Sequence, residues 1–371
     1  MLHLLLFLLA QHEPPQFNEQ VIDADVKIGY GIALGDVDGD GKDDILLADK
    51  EQIRWYRNGD WKKFVMAENL TQFDNVCIAA RDLDGDGKVE VAVGGRWNPS
   101  ETSDTTQSGA VHYLVRPADP HEKWEAVELH HEPTIHRMRW ARGTNGKYYL
   151  VVLPLHGRDN KGGEGKGVTM LAYEYPQDVH GNWNLTDLAD DMHMTHNLAV
   201  EGNAGGAEKI YVAGKEGVRI IRDGFAKGKK SHSEKLPGKM HGAGEIRLGK
   251  NFIATIEPMH GNNVVIYPKQ KNQTRIVLDS TLKEGHALGI ADFLGNGQQQ
   301  IVAGWRNPDK DGNFGIKLYS KNNGGWSTEW IDKNGMACED LQVADLNGDG
   351  KTDIIAAGRS THNLKIYWNN N

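Results

Sequence analysis

Short runs of β-branched, aromatic and aliphatic residues recur along this chain, separated by turns rich in Gly, Asp and Asn. Runs of that length with those boundaries read as strands rather than helices. The clearest pattern is an apolar run, an acidic glycine-rich loop and a second apolar run. It occurs four times: GIALGDVDGDGKDDILLA from Gly31, CIAARDLDGDGKVEVAVGG from Cys77, GIADFLGNGQQQIVAGW from Gly289 and LQVADLNGDGKTDIIAAG from Leu341. Three further copies keep the strands and have lost the acidic loop. They run HRMRW, YYLVVLPLHGR and VTMLAYEY from His136 to Tyr175; HNLAV, KIYVAGKEG and VRIIRDG from His196 to Gly224; and GAGEIRL, NFIATIEPMHG and NVVIYP from Gly242 to Pro268. The lead acids Asp36 and Asp82 are 46 residues apart, and Asp292 and Asp345 are 53 apart. A period in that range marks a repeat architecture.

Most units add a further strand, often opened by tryptophan, as in WKKFVMA (Trp61), WEAVELH (Trp124), WNLTDL (Trp183) and WSTEWID (Trp326). Four short antiparallel strands per unit, with no helix-period segment between them, predict a propeller blade. The last unit ends at LKIYWNN without its fourth strand, whereas FNEQVIDA (Phe17 to Ala24) precedes the first unit and has the same character. Pairing those two segments closes the ring and removes its open edge. The expectation is an all-β fold: a single seven-bladed β-propeller domain over residues 16–371, its ring closed by the N-terminal strand.

A formal charge of −9 without a basic block argues against nucleic acid as a partner. The opening MLHLLLFLLA is apolar, too short to span a bilayer, and followed by the polar QHEPPQ. Residues 1–10 therefore read as a signal peptide, and the expected location is secreted or periplasmic, with no membrane span. The two cysteines, Cys77 and Cys338, fall on blades that are not neighbours, so two buried free thiols are expected instead of a disulfide.

In the acidic loops, oxygen donors alternate at Asp36, Asp38, Asp40 and Asp44; at Asp82, Asp84, Asp86 and Glu90; and at Asp345, Asn347, Asp349 and Asp353. The carbonyls of Lys42, Lys88 and Lys351 complete each set. Hard oxygens at that spacing suit calcium, and the glycines permit the tight turn. Plain Asx turns are the alternative use of the same residues. Blade six, with Leu294, Asn296, Gln298 and Gln300 after Asp292, has too few charges for tight binding. These loops resemble the calcium loops of the FG-GAP and VCBS repeat families, a resemblance that speaks to fold and structural calcium more than to activity.

If the acidic loops lie on one face, the starts of the inner strands gather at the other. The residues there are Tyr30, Asp74 or Asn75, His136, His196, His241, His286, and Glu339 or Asp340. Just past the second strands come Arg96, His156, Arg158, Lys215, His260, Arg306, Arg359 and His362. Seven of the sixteen histidines thus share one rim. Neutral imidazoles ligate transition metals, and others exchange protons near neutral pH. We therefore take His196, His241 and His286 as candidate ligands of zinc, manganese or magnesium and His136, His156 and His260 as candidate acid/base groups. Arg96, Arg158, Lys215, Arg306, Arg359 and Asp340 are candidate contacts to a small or oligomeric carbohydrate. Trp97, Trp140 and Trp305 could face sugar rings or belong to blade cores. No G-x-S-x-G elbow or phosphate-binding glycine loop is found, which disfavours acyl and phosphoryl transfer.

THNLAVEG, HGAGEI, EPMHGNNVVIY and EGHALGIADFLGNGQQQIVAGWRNPD resemble the propeller domain of the aldos-2-ulose dehydratase family. The resemblance implies metal-assisted loss of water from a keto-sugar such as 1,5-anhydrofructose. The fungal enzyme carries cupin domains after its propeller and this chain stops at Asn371, so an isomerase step that rests on those domains is not expected. A polysaccharide lyase on uronate polymers and a non-catalytic, calcium-stabilised carbohydrate- or protein-binding propeller are the competing readings.

Overall fold

The computed structural model describes residues 15–202, 206–222, 225, 233–236, 241–270, 274–322 and 324–371; the signal-peptide reading of residues 1–10 lies outside these. The described residues form seven four-stranded antiparallel sheets. From the inner strand outward, blade one is Gly31–Gly35, Asp44–Ala48, Gln52–Tyr56 and Lys63–Glu68, and blade two is Cys77–Arg81, Glu90–Gly95, Ala110–Val115 and Glu125–Leu129. Blade three is Ile135–Arg142, Tyr148–Pro154, Leu171–Glu174 and Leu185–Asp187; blade four is Thr195–Glu201, Lys209–Gly214, Gly217–Ile221 and Ser233–Lys235. Blade five is Glu245–Leu248, Phe252–Glu257, Asn263–Pro268 and Ile276–Asp279; blade six is Gly285–Ala291, Gln300–Trp305, Gly315–Asn322 and Gly325–Lys333. Blade seven takes Cys338–Ala344, Asp353–Gly358 and Asn363–Asn369 from the C-terminus and Phe17–Asp23 from the N-terminus as its outer strand. That last pairing runs from Phe17 opposite Asn369 to Asp23 opposite Leu364, so the ring is closed as the sequence predicts.

The inner strand of each blade lies against those of both neighbours, round to blade seven against blade one. Seven apolar clusters fill the seven seams between blades, one each. This is why the strands read as continuous apolar runs: each blade is covered on both faces, so both side-chain registers are buried. Cys77 and Cys338 are buried and unpaired, as expected. No helix is long and apolar enough to cross a membrane among the described residues.

The seams also carry a polar clasp. Asp23, on the outer strand of blade seven, accepts a hydrogen bond from the Tyr56 hydroxyl (2.7 Å) and lies 3.0 Å from Lys63 in blade one. Asp279 of blade five receives Tyr319 (2.8 Å) and Lys317 (3.1 Å) of blade six in the same way. Asp332 of blade six receives Tyr367 (2.7 Å) and Lys365 (3.1 Å) of blade seven. A buried carboxylate is tolerated when it is paired and hydrogen-bonded, and each clasp ties an outer strand to the next blade.

A candidate metal centre at the channel mouth

Four inner strands share a local irregularity. The pairing with the second strand slips by one residue at His136 in blade three, His196 in blade four, His286 in blade six and Glu339 in blade seven. A bulge of this kind re-aims one side chain without ending the strand. Each extruded histidine spends Nδ1 on the main chain of the following blades: His136 on the His196 carbonyl (2.9 Å), His196 on the Gly244 carbonyl (2.8 Å), His286 on the Glu339 carbonyl (2.5 Å). A carbonyl only accepts, so Nδ1 carries the proton and Nε2 keeps its lone pair.

The Nε2 atoms of His196 and His260 are 2.6 Å apart. With His286, the three imidazoles bring one ligand nitrogen each within 4.8 Å of one another. His260 arrives from the turn after Glu257 in left-handed backbone (φ 49°) and is the exposed member of the group, while His196 and His286 are buried. Two lone pairs facing each other at that distance repel unless a proton or a cation lies between them. The donor set of three imidazoles, two of them fixed through Nδ1, fits a borderline-soft divalent metal.

All-round packing, then Arg306 and the neighbouring imidazoles, lowers the pKa of His286 well below the usual imidazole range. Burial, then Arg137 and His196, does the same to His136. Partial burial of its ring, then His196 and Arg306, lowers His260 below the usual imidazole range as well. His260 and His286 are thus held neutral near pH 7, the state in which imidazole ligates a metal.

The remaining candidates divide. His241 is exposed and stands apart from the cluster, because the inner strand of blade five begins at Glu245 and not at Gly242. The main-chain position equivalent to His196 is held there by Gly244, whose carbonyl serves His196. His136 is spent at both ring nitrogens, Nε2 lying 3.2 Å from the Arg137 guanidinium, and so orients the His196 main chain. His156 pairs across to Met194 on the rim, its buried Nδ1 has no hydrogen-bond partner, and burial lowers its pKa.

Arg306 binds Glu339 (3.1 Å) and Glu284 (2.9 Å), and Arg359 binds Glu339 (2.9 Å), so these two cations stay at the mouth. Arg96 instead reaches outward to Glu128 and the Gly109 carbonyl, Arg158 pairs with Glu132, and Lys215 holds the Gly162 and Gly163 carbonyls. Asp340 is buried on the main-chain N–H groups of Ile32 (2.7 Å) and Leu341 (2.9 Å) and serves the scaffold. Trp97 lies beside His136, ring centres 4.9 Å apart, whereas Trp140 and Trp305 are core residues. His362 donates to or accepts from nothing in the cluster; its Nδ1 faces the Val26 and Lys27 carbonyls.

Sequence reasoning missed Arg137, Glu245 and Asn197. Glu245 is 1% exposed, accepts Asn197 Nδ2 at 2.6 Å and lies 3.4 Å from His196 Nδ1. Burial acts to raise its pKa, but His196 and Arg247 outweigh this and hold it ionised. The signal was present in HRMR and GEIR, where charged residues alternate inside an otherwise apolar strand.

In the acidic loops, the first three carboxylates do converge: Asp36, Asp38 and Asp40 in blade one and Asp82, Asp84 and Asp86 in blade two. The lead acid folds each loop by accepting main-chain N–H groups: Gly39 and Gly41 at Asp36, Gly85 and Gly87 at Asp82, and Gly348, Asp349 and Gly350 at Asp345. The closing acids turn inward instead. Asp44 accepts Val37 and Asn58 N–H, Glu90 accepts Leu83, and Asp353 accepts Leu346 and Asn369.

Comparison with known proteins agrees with this architecture. The FG-GAP-like repeat family matches residues 36–93, and the aldos-2-ulose dehydratase β-propeller domain matches residues 108–270. Aldos-2-ulose dehydratase of Phanerodontia chrysosporium is 22% identical over 356 residues, covering 86% of this chain and 38% of that protein. The chain thus spans well under half the length of that relative. Among solved structures, the WD40 propeller of Doa1 aligns over 94% of this chain and 96% of its own (TM-score 0.56, 10% identity). A chain of the mitotic checkpoint complex aligns over 99% of this chain and 98% of its own (TM-score 0.60, 12% identity). At those identities the structural matches speak to fold alone. The chain is a seven-bladed β-propeller that matches the FG-GAP-like repeat over residues 36–93 and is similar to the propeller domain of aldos-2-ulose dehydratase.

Proposed function

We propose that this chain is a secreted carbohydrate-active hydro-lyase that removes water from a keto-sugar such as 1,5-anhydrofructose, with a divalent transition metal at the mouth and calcium in the acidic loops. The observation that carries the reading is the convergence of His196, His260 and His286 with two of the three Nδ1 atoms anchored. The similarity to a dehydratase propeller supports it. A metal bound by these residues supplies Lewis acidity toward a substrate carbonyl, which makes the adjacent C–H acidic. His156, with a ring nitrogen that has no partner, takes the role of acid/base. Arg306 and Arg359 turn a positive face toward an oxygen that gains charge, and the Trp97 ring beside His136 offers a surface for a sugar.

A uronate-polymer lyase is less well supported, since Arg96 and Arg158 reach away from the mouth to Glu128 and Glu132, leaving fewer cations there for a chain of carboxylates. The test is incubation of purified protein with 1,5-anhydrofructose, following the ultraviolet absorbance of the conjugated enone product. Wild type should form enone and His286→Ala should be slower by about a hundredfold or more, as for loss of a catalytic group. Enone formation unaffected by that change removes the mechanism, and cleavage of uronate polymers in its place moves the polymer-lyase reading to the front.

A further inference from the structure

Three arginines line the channel wall below the mouth. Arg137, Arg139 and Arg247 each donate to the carbonyl of the residue before them: His136, Met138 and Ile246, at 2.9, 2.8 and 2.8 Å. Arg139 and Arg247 stand three positions along the inner strands from His136 and Gly244, roughly 10 Å deeper than the imidazoles. The carboxylates within reach do not balance them. Glu245 lies 3.4 Å from Arg247 and already serves Asn197, and burial raises the pKa of Asp340, whose oxygens face main-chain N–H groups. Arg139 has no carboxylate at ion-pair distance among the described residues. Arg247 Nη2 is buried without a hydrogen-bond partner. Burial, then Arg247, pushes Arg139 down to about 10.

Beside Arg247 is a cavity of about 120 Å³, lined by the inner strands of blades five, six and seven and including Gly289 and Gln342. A guanidinium nitrogen left without a partner beside such a cavity, with Arg139 lacking a carboxylate of its own, is costly unless an anion joins them. Guanidinium donors suit an oxyanion that accepts in a plane.

We propose that the cavity beside Arg247 binds one small oxyanion, separately from the imidazole site, with Arg139 adding positive charge from the same channel wall. The probe is inorganic phosphate, titrated by calorimetry into the full chain in low-salt, chloride-free buffer. Wild type should bind one phosphate per chain, and Arg139→Gln or Arg247→Gln should weaken binding by about tenfold or more, the scale of one charged hydrogen bond. Arg222→Gln, on the outside of blade four, should leave it unchanged. Because an arginine variant can misfold, Arg247→Lys gives an independent reading: it keeps the charge but loses the planar pair of donors, and should bind phosphate more weakly than wild type at a melting temperature close to that of wild type. No saturable binding by wild type, equal affinity in the arginine-to-glutamine variants, or wild-type affinity in Arg247→Lys would each overturn the proposal.

Discussion

His286 shows how a single side chain is committed at this mouth: Nδ1 goes to the carbonyl of Glu339, the carboxylate of Glu339 goes to Arg306 and Arg359, and Nε2 is left for the channel. Burial reaches other residues as titration behaviour. His112, on the third strand of blade two, is 5% exposed and pushed down to about 4, chiefly by burial. The unfolded chain protonates it near 6.5, so the unfolded state binds more protons below that pH and stability falls as pH drops from about 6.5 toward 4. The loss is on the order of 3 kcal/mol. His112→Leu should flatten that limb of a stability-against-pH profile by chemical denaturation; an unchanged profile would refute the assignment. Burial also pushes the Cys77 thiol up to about 12 and raises the Cys338 thiol well above its ordinary range. Neither should react with iodoacetamide in the native protein at pH 8, and both should react after unfolding. Strand register was enough to bring His196, His260 and His286 to one rim from sequence. It could not separate them from His241, because the late start of the blade-five inner strand leaves no mark in GAGEI.

A hairpin or a seam is the unit on which the acidic loops and the Tyr–carboxylate clasps act. Gln300 in blade six fills the place of the closing acid and accepts the Leu294 N–H at 3.1 Å, so this contact survives loss of charge. The converged carboxylates of blades one and two are what calcium would neutralise. Calcium should raise the melting temperature by several degrees, and Asp36→Ala with Asp82→Ala should remove most of that gain; scanning calorimetry with and without chelator checks it. The clasps set acid stability. Burial works to raise the pKa of Asp279, yet Thr281, Tyr319 and Lys317 outweigh it and hold it low. Stability from such a group is complete above the unfolded pKa near 3.9 and is lost as pH falls through the folded value. Tyr319→Phe should cost about 1.5–3 kcal/mol at pH 7 by denaturant titration, with a smaller cost below pH 3. The loop chemistry was legible because DxDGDGK is a local pattern. The clasps were not, since each joins strands of different blades.

Closure of the ring decides whether the mouth exists at all. His196, His260 and His286 come from blades four, five and six, and they converge only if every seam is packed and the termini meet in blade seven. Deleting residues 1–23 should expose the edge of Asn363–Asn369, lower the melting temperature by about ten degrees or more and promote self-association, seen by calorimetry and light scattering. The ring itself was readable from the period and from the strand missing at the C-terminus. The polar lining of the channel was not, because it depends on the bulges that turn His136, His196, His286 and Glu339 inward. The most direct test of the account is the metal content of purified wild-type, His260→Ala and His286→Ala protein, measured by elemental analysis after dialysis. The account predicts close to one transition-metal ion per chain in wild type and almost none in either variant, with calcium unchanged. Wild-type protein that holds calcium alone, or variants that keep the full transition-metal content, would contradict it.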